Sequence, residues 1–470
     1  MDPLRDPDPA APLDAVAKAA PGYLSSLADR PVDDPAARGL LDELGGPLPE
    51  EGLGAVESVE ELLRIGTAAA THSSGPRFFH FVTGGSTPAA LAGDWATALL
   101  DQNAVLWTSS PLATTAETVV LGWLKDLFGL PAGWGGVLTP SATFANLTGL
   151  ACARHWWAAR QGRDVAADGL AGLPAMPVLG GGYVHPSARK ALQLLGCGRD
   201  TVRVHGEGRA DVAAIEAALR ELAAPAVLIA TAGEVNAGDY DPIDELADLA
   251  QRYGCWLHVD GAFGLFAALS PRTAHLLRGV ERAHSVAADG HKWLNVPYES
   301  GFAFLRDRET LGETFGSWNA PYLVGGELDY SRLGPESSRR ARALPIWATL
   351  RAYGRSGYRA MVERQLDLAA HLGRLVDQAP DLELLAPVRL CVVCFRYAPP
   401  GVAPESLDAL NSAIGEALLA DGRVYAGTTV YRGHTALRPA IVNWRTTESD
   451  VELVATVVRE LGVRFVQDAG

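Results

Sequence analysis

A lysine sits in the segment His284-Ser-Val-Ala-Ala-Asp-Gly-His-Lys-Trp-Leu-Asn295, where an apolar run ends in a polar turn carrying Asp289, His291 and Lys292. A second apolar run, Trp256-Leu-His-Val-Asp-Gly-Ala-Phe-Gly264, ends in the same way at Asp260. If both runs are strands of one parallel sheet, their polar ends meet at its carboxyl edge, where open α/β sheets bind ligands. An amine able to form a Schiff base and a carboxylate able to hold a pyridine nitrogen protonated are what pyridoxal phosphate requires. A third segment, Gly135-Gly-Val-Leu-Thr-Pro-Ser-Ala-Thr143, runs straight into the helical Phe144-Ala-Asn-Leu-Thr-Gly-Leu150. Amides at that helix start, with the hydroxyls of Ser141 and Thr143 beside Ala142, suit a phosphate dianion.

These motifs need a scaffold, and from about residue 80 helical patterns alternate with short apolar runs, the signature of a mostly parallel α/β sheet. Strands are expected at 136–138, 181–184, 201–204, 226–230, 256–259, 285–288 and 301–305. The segment Asp211 to Leu222 reads as a helix, because Val212, Ile215, Leu219 and Leu222 recur on one face behind an aspartate cap. A long helix from Ala348 to Leu375 leads into a second α+β unit with a strand at 390–396 and a final helix from Ser449 to Leu461. The expected division is a disordered tail over 1–13, a helical segment over 14–79, a large domain over 80–350 and a small C-terminal domain over 351–470.

The 470 residues are 48% hydrophobic, enough for a sizeable core. A formal charge of −15 disfavours a nucleic acid partner. The acidic, proline-rich start MDPLRDPDPAAPL has neither the basic nor the apolar part of a secretory signal, and no apolar run reaches the ~18 residues of a membrane span. A cytoplasmic protein is expected. Cys391 and Cys394 form a CxxC, but their setting, VRLCVVCFRY, reads as a buried strand rather than a redox or zinc site.

With these motifs in place, the chain from Gly75 to Glu460 resembles the group II pyridoxal-phosphate decarboxylases, a family that includes the aromatic amino acid and glutamate decarboxylases. The family's HVDxA(Y/F) and (D/N)xHKW motifs stand here with 292 − 260 = 32 positions between aspartate and lysine. The resemblance implies fold type I of the pyridoxal enzymes, the aspartate aminotransferase-like α/β fold. It makes Lys292 the Schiff-base lysine, Asp260 the pyridinium partner, Ala262 a contact of one ring face and His185 the residue stacked on the other. Asp289 and His291 join the cofactor contacts, and the Ser-Ala-Thr turn at 141–143 resembles the phosphate loop of the aromatic branch.

The resemblance also assigns Tyr330, in an Asp-Tyr that precedes Arg339-Arg340 and Trp347, as the residue that protonates the substrate carbon. The spacing from tyrosine to tryptophan is 347 − 330 = 17 positions. Relatives with phenylalanine at that place make aldehydes. Where many members carry a threonine pair, this chain has Thr231-Ala-Gly-Glu-Val-Asn236, and Asn236 is the candidate replacement; His284 stands where relatives often have aspartate. Phe79, His80 and Phe81, with Trp107, resemble the family's substrate strip, and Arg438 matches a C-terminal family arginine. Arg77 offers a partner for an acidic side chain. The family's homodimers, with shared active sites and an N-terminal segment wrapped over the partner, imply the same here.

The expected activity is decarboxylation of an L-amino acid, aromatic by preference, to the amine and carbon dioxide. An aldehyde synthase or another C–C or C–S lyase on the same scaffold is the alternative. A third reading is a non-catalytic partner protein, against which the joint presence of Lys292, Asp260, His185 and Tyr330 argues.

Overall fold

The computed structural model describes residues 8–316 and 329–468. The chain divides into two compact units, Gly84–Asp367 with Val388–Val392, and Met1–Thr83 with Leu368–Pro387 and Val393–Gly470.

The larger unit is built on a seven-stranded sheet: β1 (Gly135–Thr139), β2 (Val178–Gly180), β3 (Val202–Val204), β4 (Val227–Thr231), β5 (Trp256–Asp260), β6 (Ser285–Asp289) and β7 (Gly301–Leu305). Their spatial order is β1-β7-β6-β5-β4-β2-β3. The strands β6, β5, β4, β2 and β3 run parallel, while β7 is antiparallel to both of its neighbours. Every residue of β4 to β7 is buried, which is why these strands read as continuous apolar runs rather than alternating ones. Register then brings the polar ends together: Thr231 lies opposite Asp260, and Asp260 opposite Ala287 two residues before Asp289.

Two expectations shift. The strand expected at 181–184 is Val178–Gly180, because Gly181 to Val184 turn into the helix Pro186–Leu194, which His185 caps by accepting the Ser187 amide. The strand expected at 390–396 is reduced to Phe395–Tyr397, with Val388–Val392 grouped in the larger unit. Cys391 and Cys394 are buried free thiols, and the described residues contain no cluster of metal-ligating side chains.

The smaller unit carries an antiparallel sheet of β8 (Leu382–Leu384), β9 (Phe395–Tyr397), β10 (Thr428–Tyr431) and β11 (His434–Leu437), in the order β10-β11-β9-β8. The segment expected to stand apart over 14–79 belongs to this unit. The Phe79 amide donates to the Tyr425 carbonyl and its carbonyl accepts from Ala440, so the chain before residue 83 is stitched into the C-terminal residues. A helix already begins at Ala11, inside the tail expected over 1–13, and residues 1–7 of that tail lie outside the described residues. The long helix spans Ala343–Gln378 with a break at Gly354, and the last helix spans Glu448–Asp468.

A buried ion pair braces the β1 side of the larger unit. Arg339 donates through both terminal nitrogens to Glu117, at 2.7 and 3.1 Å, and also to the carbonyls of Ala104 and Leu138, while Glu117 accepts the Leu138 amide at 2.9 Å. Both side chains are almost wholly buried. Removing one partner strands a desolvated charge, so Arg339→Met is expected to cost about 3–5 kcal/mol in denaturant unfolding, with Glu117→Met added to it recovering part of the loss. A single variant as stable as the parent would contradict this reading.

Candidate active site

The lysine turn is held from two sides. β6 ends at Asp289, whose buried carboxylate accepts the Ala142 amide at 3.0 Å through Oδ2. Its Oδ1 takes His291 Nδ1 at 2.6 Å and the His291 amide at 3.4 Å. One carboxylate thereby ties the start of the helix Ala142–Arg160 to the turn bearing Lys292. The turn itself, Gly290–Leu294, is a wide π-helical turn closed by Asn295 in the left-handed region (φ 56°). Gly84 presses on it: its amide donates to the His291 carbonyl at 2.9 Å, and a Cβ there would lie 1.9 Å from the Lys292 carbonyl oxygen. No larger residue fits at 84.

At the end of β1, Ser141 caps the helix by accepting the Phe144 amide at 3.5 Å. Because Asp289 has taken the Ala142 amide, the first-turn amide that remains for an anion is that of Thr143, which no intrahelical carbonyl reaches. Ala142 therefore serves the site through its position, not its N–H.

Asp260 ends β5 and is only 4% exposed. Its Oδ2 accepts from Asn146 Nδ2 at 3.0 Å and its Oδ1 from the Ala262 amide at 3.2 Å. The same Asn146 amide nitrogen donates to Ser187 Oγ at 3.2 Å, and Ser187 meets His185 Nδ1 through its hydroxyl at 2.7 Å and its amide at 3.1 Å. A backbone amide can only donate, so neutral His185 carries its proton on Nε2. Asp260, Ala262 and His185 are thus joined in one network with Asn146, a residue that sequence reasoning passed over because it reads as an ordinary first-turn helix position. On its far side Asn146 Oδ1 meets His258 Nε2 at 2.9 Å, and His258 Nδ1 meets Ser285 Oγ at 2.8 Å. Complete burial pulls the His258 pKa down to about 4 and keeps the ring neutral.

Two hydroxyls at this edge are buried without a hydrogen-bond partner: Thr231 Oγ1, beside Asp260 in the sheet register, and Ser300 Oγ, just before β7. Unsatisfied buried donors at a ligand edge are what an oxygen-rich cofactor would satisfy. The donor set fits pyridoxal phosphate: a lysine amine, a buried carboxylate for the pyridine nitrogen, first-turn donors for the phosphate and the Thr231 hydroxyl for a ring substituent. Asn236 sits in the loop after β4, whose amides at 236 and 237 are held by the buried Glu234 carboxylate. The signal that singles out Thr231 is its place as the last residue of β4, level with Asp260.

The pyridoxal-dependent decarboxylase conserved domain matches residues 49–398. The chain belongs to that family. It is 32% identical over 436 residues to the L-2,4-diaminobutyrate decarboxylase of Rhizobium meliloti, covering 90% of this chain and 85% of that one. It is 28% identical over 453 residues to the aromatic-L-amino-acid decarboxylase of Bacillus atrophaeus, covering 93% and 92%. Among solved structures, Oryza sativa TDC with PLP and tryptamine superposes with a TM-score of 0.91 at 27% identity, covering 99% of each chain. The expected family, fold type I and pyridoxal phosphate dependence therefore hold.

Several expected residues of this decarboxylase do not join the Lys292 network. Tyr330 is 4% exposed, its hydroxyl is bonded to Thr118 at 2.9 Å, and the Arg339 guanidinium lies 5.3 Å from its ring centre. Burial, with the Glu117 charge nearby, pushes the phenol well above its ordinary pKa. These contacts place the Tyr330 hydroxyl on Thr118, beside the Glu117–Arg339 pair. Phe79 is a buried core residue of the smaller unit. His80 and Arg438 lie in that unit too. Burial and the Arg438 charge pull the His80 pKa down to about 4, and its ring rests on Phe81 at 3.6 Å between centres. Phe81 is 64% exposed with φ 57°, and Trp107, in the larger unit, is also exposed. Arg77 donates to the carbonyls of Ala28 and Arg30, and its Nε lies 3.8 Å from the Asp450 carboxylate. His284 stacks on Trp256 and accepts the Leu257 amide, a structural role.

The His258 shift carries a pH signature. The unfolded chain protonates this histidine near 6.5 and the folded chain only near 4, so the unfolded state binds the extra proton between those values. Folding stability is unaffected by this group above pH 6.5 and falls progressively as pH drops towards 4, by about 3 kcal/mol at 1.36 kcal/mol per unit. Urea unfolding across that window is expected to flatten in His258→Gln; an unchanged slope would contradict a neutral buried imidazole.

Proposed function

We propose that this decarboxylase converts an L-amino acid, aromatic by preference, to its amine and carbon dioxide, with Lys292 as the residue that holds pyridoxal phosphate. The observation that carries the reading is the meeting of the Lys292 turn, Asp260 and the Ser141–Thr143 helix start at one sheet edge, tied by Asp289. When bound, pyridoxal phosphate supplies the electron sink for the carbon–carboxylate bond. Asp260, anionic and buried, holds the proton of the pyridine nitrogen in place. Ser141 and the Thr143 amide bind the phosphate, His185 and Ala262 bracket the ring, and Thr231 takes the ring-oxygen contact first given to Asn236.

Aromatic preference is supported by the similarity to the aromatic-L-amino-acid decarboxylase of Bacillus atrophaeus and to Oryza sativa TDC with PLP and tryptamine. The family resemblance supports Arg438 as a substrate contact. A homodimer is part of the proposal: Leu41, Leu44, Leu48, Leu53 and Leu62 leave an apolar N-terminal surface uncovered, Leu48 at 95% exposure. A cytoplasmic location accords with the finding that no helix among the described residues is long and apolar enough to cross a membrane.

The purified protein should show a visible absorbance band that borohydride removes, and Lys292→Ala should lower turnover at least about a thousandfold, some 4 kcal/mol of barrier. A screen of aromatic, basic and acidic L-amino acids should release carbon dioxide and amine, aromatics fastest. Basic substrates belong in it because one relative is a diaminobutyrate decarboxylase. Hydrogen peroxide and ammonia in place of amine would instead favour the aldehyde synthase reading. With Tyr330 proposed as the donor of the proton to the substrate carbon, Tyr330→Phe should shift the product towards aldehyde. An amine yield equal to the parent's would remove Tyr330 from the chemistry.

A further inference from the structure

Trp256, His258 and Asp260 alternate along β5 and so share one face of the strand, towards the helix Ala142–Arg160. Ser285 lies opposite His258 in parallel register. We infer that Trp256, Ser285, His258 and Asn146 form a one-way hydrogen-bond relay whose last donor, the Asn146 amide, holds Asp260 as a carboxylate and orients His185 through Ser187. The inference rests on the pyridoxal phosphate reading and names Asn146, His258 and Ser285 as positioning residues.

The direction follows from what each group can do. The Trp256 indole N–H can only donate, and it reaches Ser285 Oγ at 2.9 Å. The Ser285 hydroxyl proton then goes to the remaining partner, His258 Nδ1, at 2.8 Å. That places the imidazole proton on Nε2, where it donates to Asn146 Oδ1 at 2.9 Å. The amide orientation is thereby set, and its nitrogen turns both hydrogens outward, one to Asp260 Oδ2 at 3.0 Å and one to Ser187 Oγ at 3.2 Å. Ser187 passes its own proton to His185 Nδ1.

Reversing the chain fails. With the amide flipped, Asn146 Oδ1 would face the Asp260 carboxylate, acceptor against acceptor, and the Ser285 hydroxyl would receive two donors and have no acceptor for its own proton. The relay therefore presents a donor to Asp260 Oδ2, as an accepting carboxylate oxygen requires. Ser285, His258 and Asn146 are fully buried, so water does not substitute for any link. Among the described residues no cationic side chain is ion-paired with Asp260, which leaves its charge for the ligand. Close approach of helix and strand is built in: a Cβ at Gly149 would lie 2.8 Å from both Nδ1 and Cε1 of His258.

The test compares full-length apoprotein binding to pyridoxal phosphate and to its carbocyclic analogue with CH in place of the ring nitrogen, by fluorescence titration. Asn146→Ala should weaken pyridoxal phosphate about tenfold or more beyond any loss for the analogue, because only the nitrogen reports on Asp260. Ser285→Ala, a small change that leaves the fold's volume intact, should give a lesser difference of the same sign. Equal losses for both ligands, or no loss, would overturn the relay and leave Asn146 a packing group. Failure of the parent protein to bind pyridoxal phosphate at all would instead overturn the cofactor reading on which the relay stands.

Discussion

A carboxylate that stays charged inside a protein must be met by donors, and the structure around the ligand edge is organised by that demand at Asp260. An uncompensated charge at such a site costs several kcal/mol. The Ala262 amide and the Asn146 side chain meet it, and neither carries a charge that would compete with a cationic ligand. Asn146 can do so only because the helix Ala142–Arg160 lies close enough to β5 for its side chain to span the gap, which is why a glycine at 149 faces His258 one turn on. The same helix begins where β1 ends, so the position of the anion-binding turn is coupled to the position of the buried acid.

Asp289 solves a parallel problem on the neighbouring strand with a different outcome. Its donors are the Ala142 amide and His291, so the charge is spent internally, on joining the helix start to the lysine turn. Two aspartates at the ends of adjacent strands thus divide the work: one fixes the frame and the other is left to a ligand. Further from the edge, Trp293 is buried and hydrogen-bonded to Gln365, and Tyr358 donates to the Leu294 carbonyl, so the long helix that follows anchors the turn from below. At the β1 side the Glu117–Arg339 pair holds the segments around Ala104 and Leu138, and Tyr330 packs against that pair.

Strands β5, β6 and β7 were legible in the sequence because burial on both faces turns them into short apolar runs that end at polar residues. Lys292, Asp260 and His185 stand out in the sequence because their spacing matches a known pattern. What was not legible depends on contacts made at long range. Gly181 to Val184 have strand-like composition, yet the capping of the next helix by His185 bends them into a turn. Asn146 looks like any polar residue in a helix's first turn, since its partners stand 112 and 114 positions away. Thr231 stands level with Asp260 in the sheet, a relation that a search for a threonine pair does not reveal. For Tyr330, chain spacing to Arg339 and Trp347 carries no information about where its hydroxyl points, which in the structure is towards Thr118.

The measurement that tests this account most directly is the nitrogen-15 chemical shift of pyridoxal phosphate labelled at its ring nitrogen and bound to the parent protein, followed from mildly acidic to mildly alkaline solution. An anionic Asp260 held by Asn146 predicts a ring nitrogen that stays protonated throughout, with a shift insensitive to pH. A nitrogen that is unprotonated, or that titrates as it does in free pyridoxal phosphate, would contradict the central role given to the buried carboxylate.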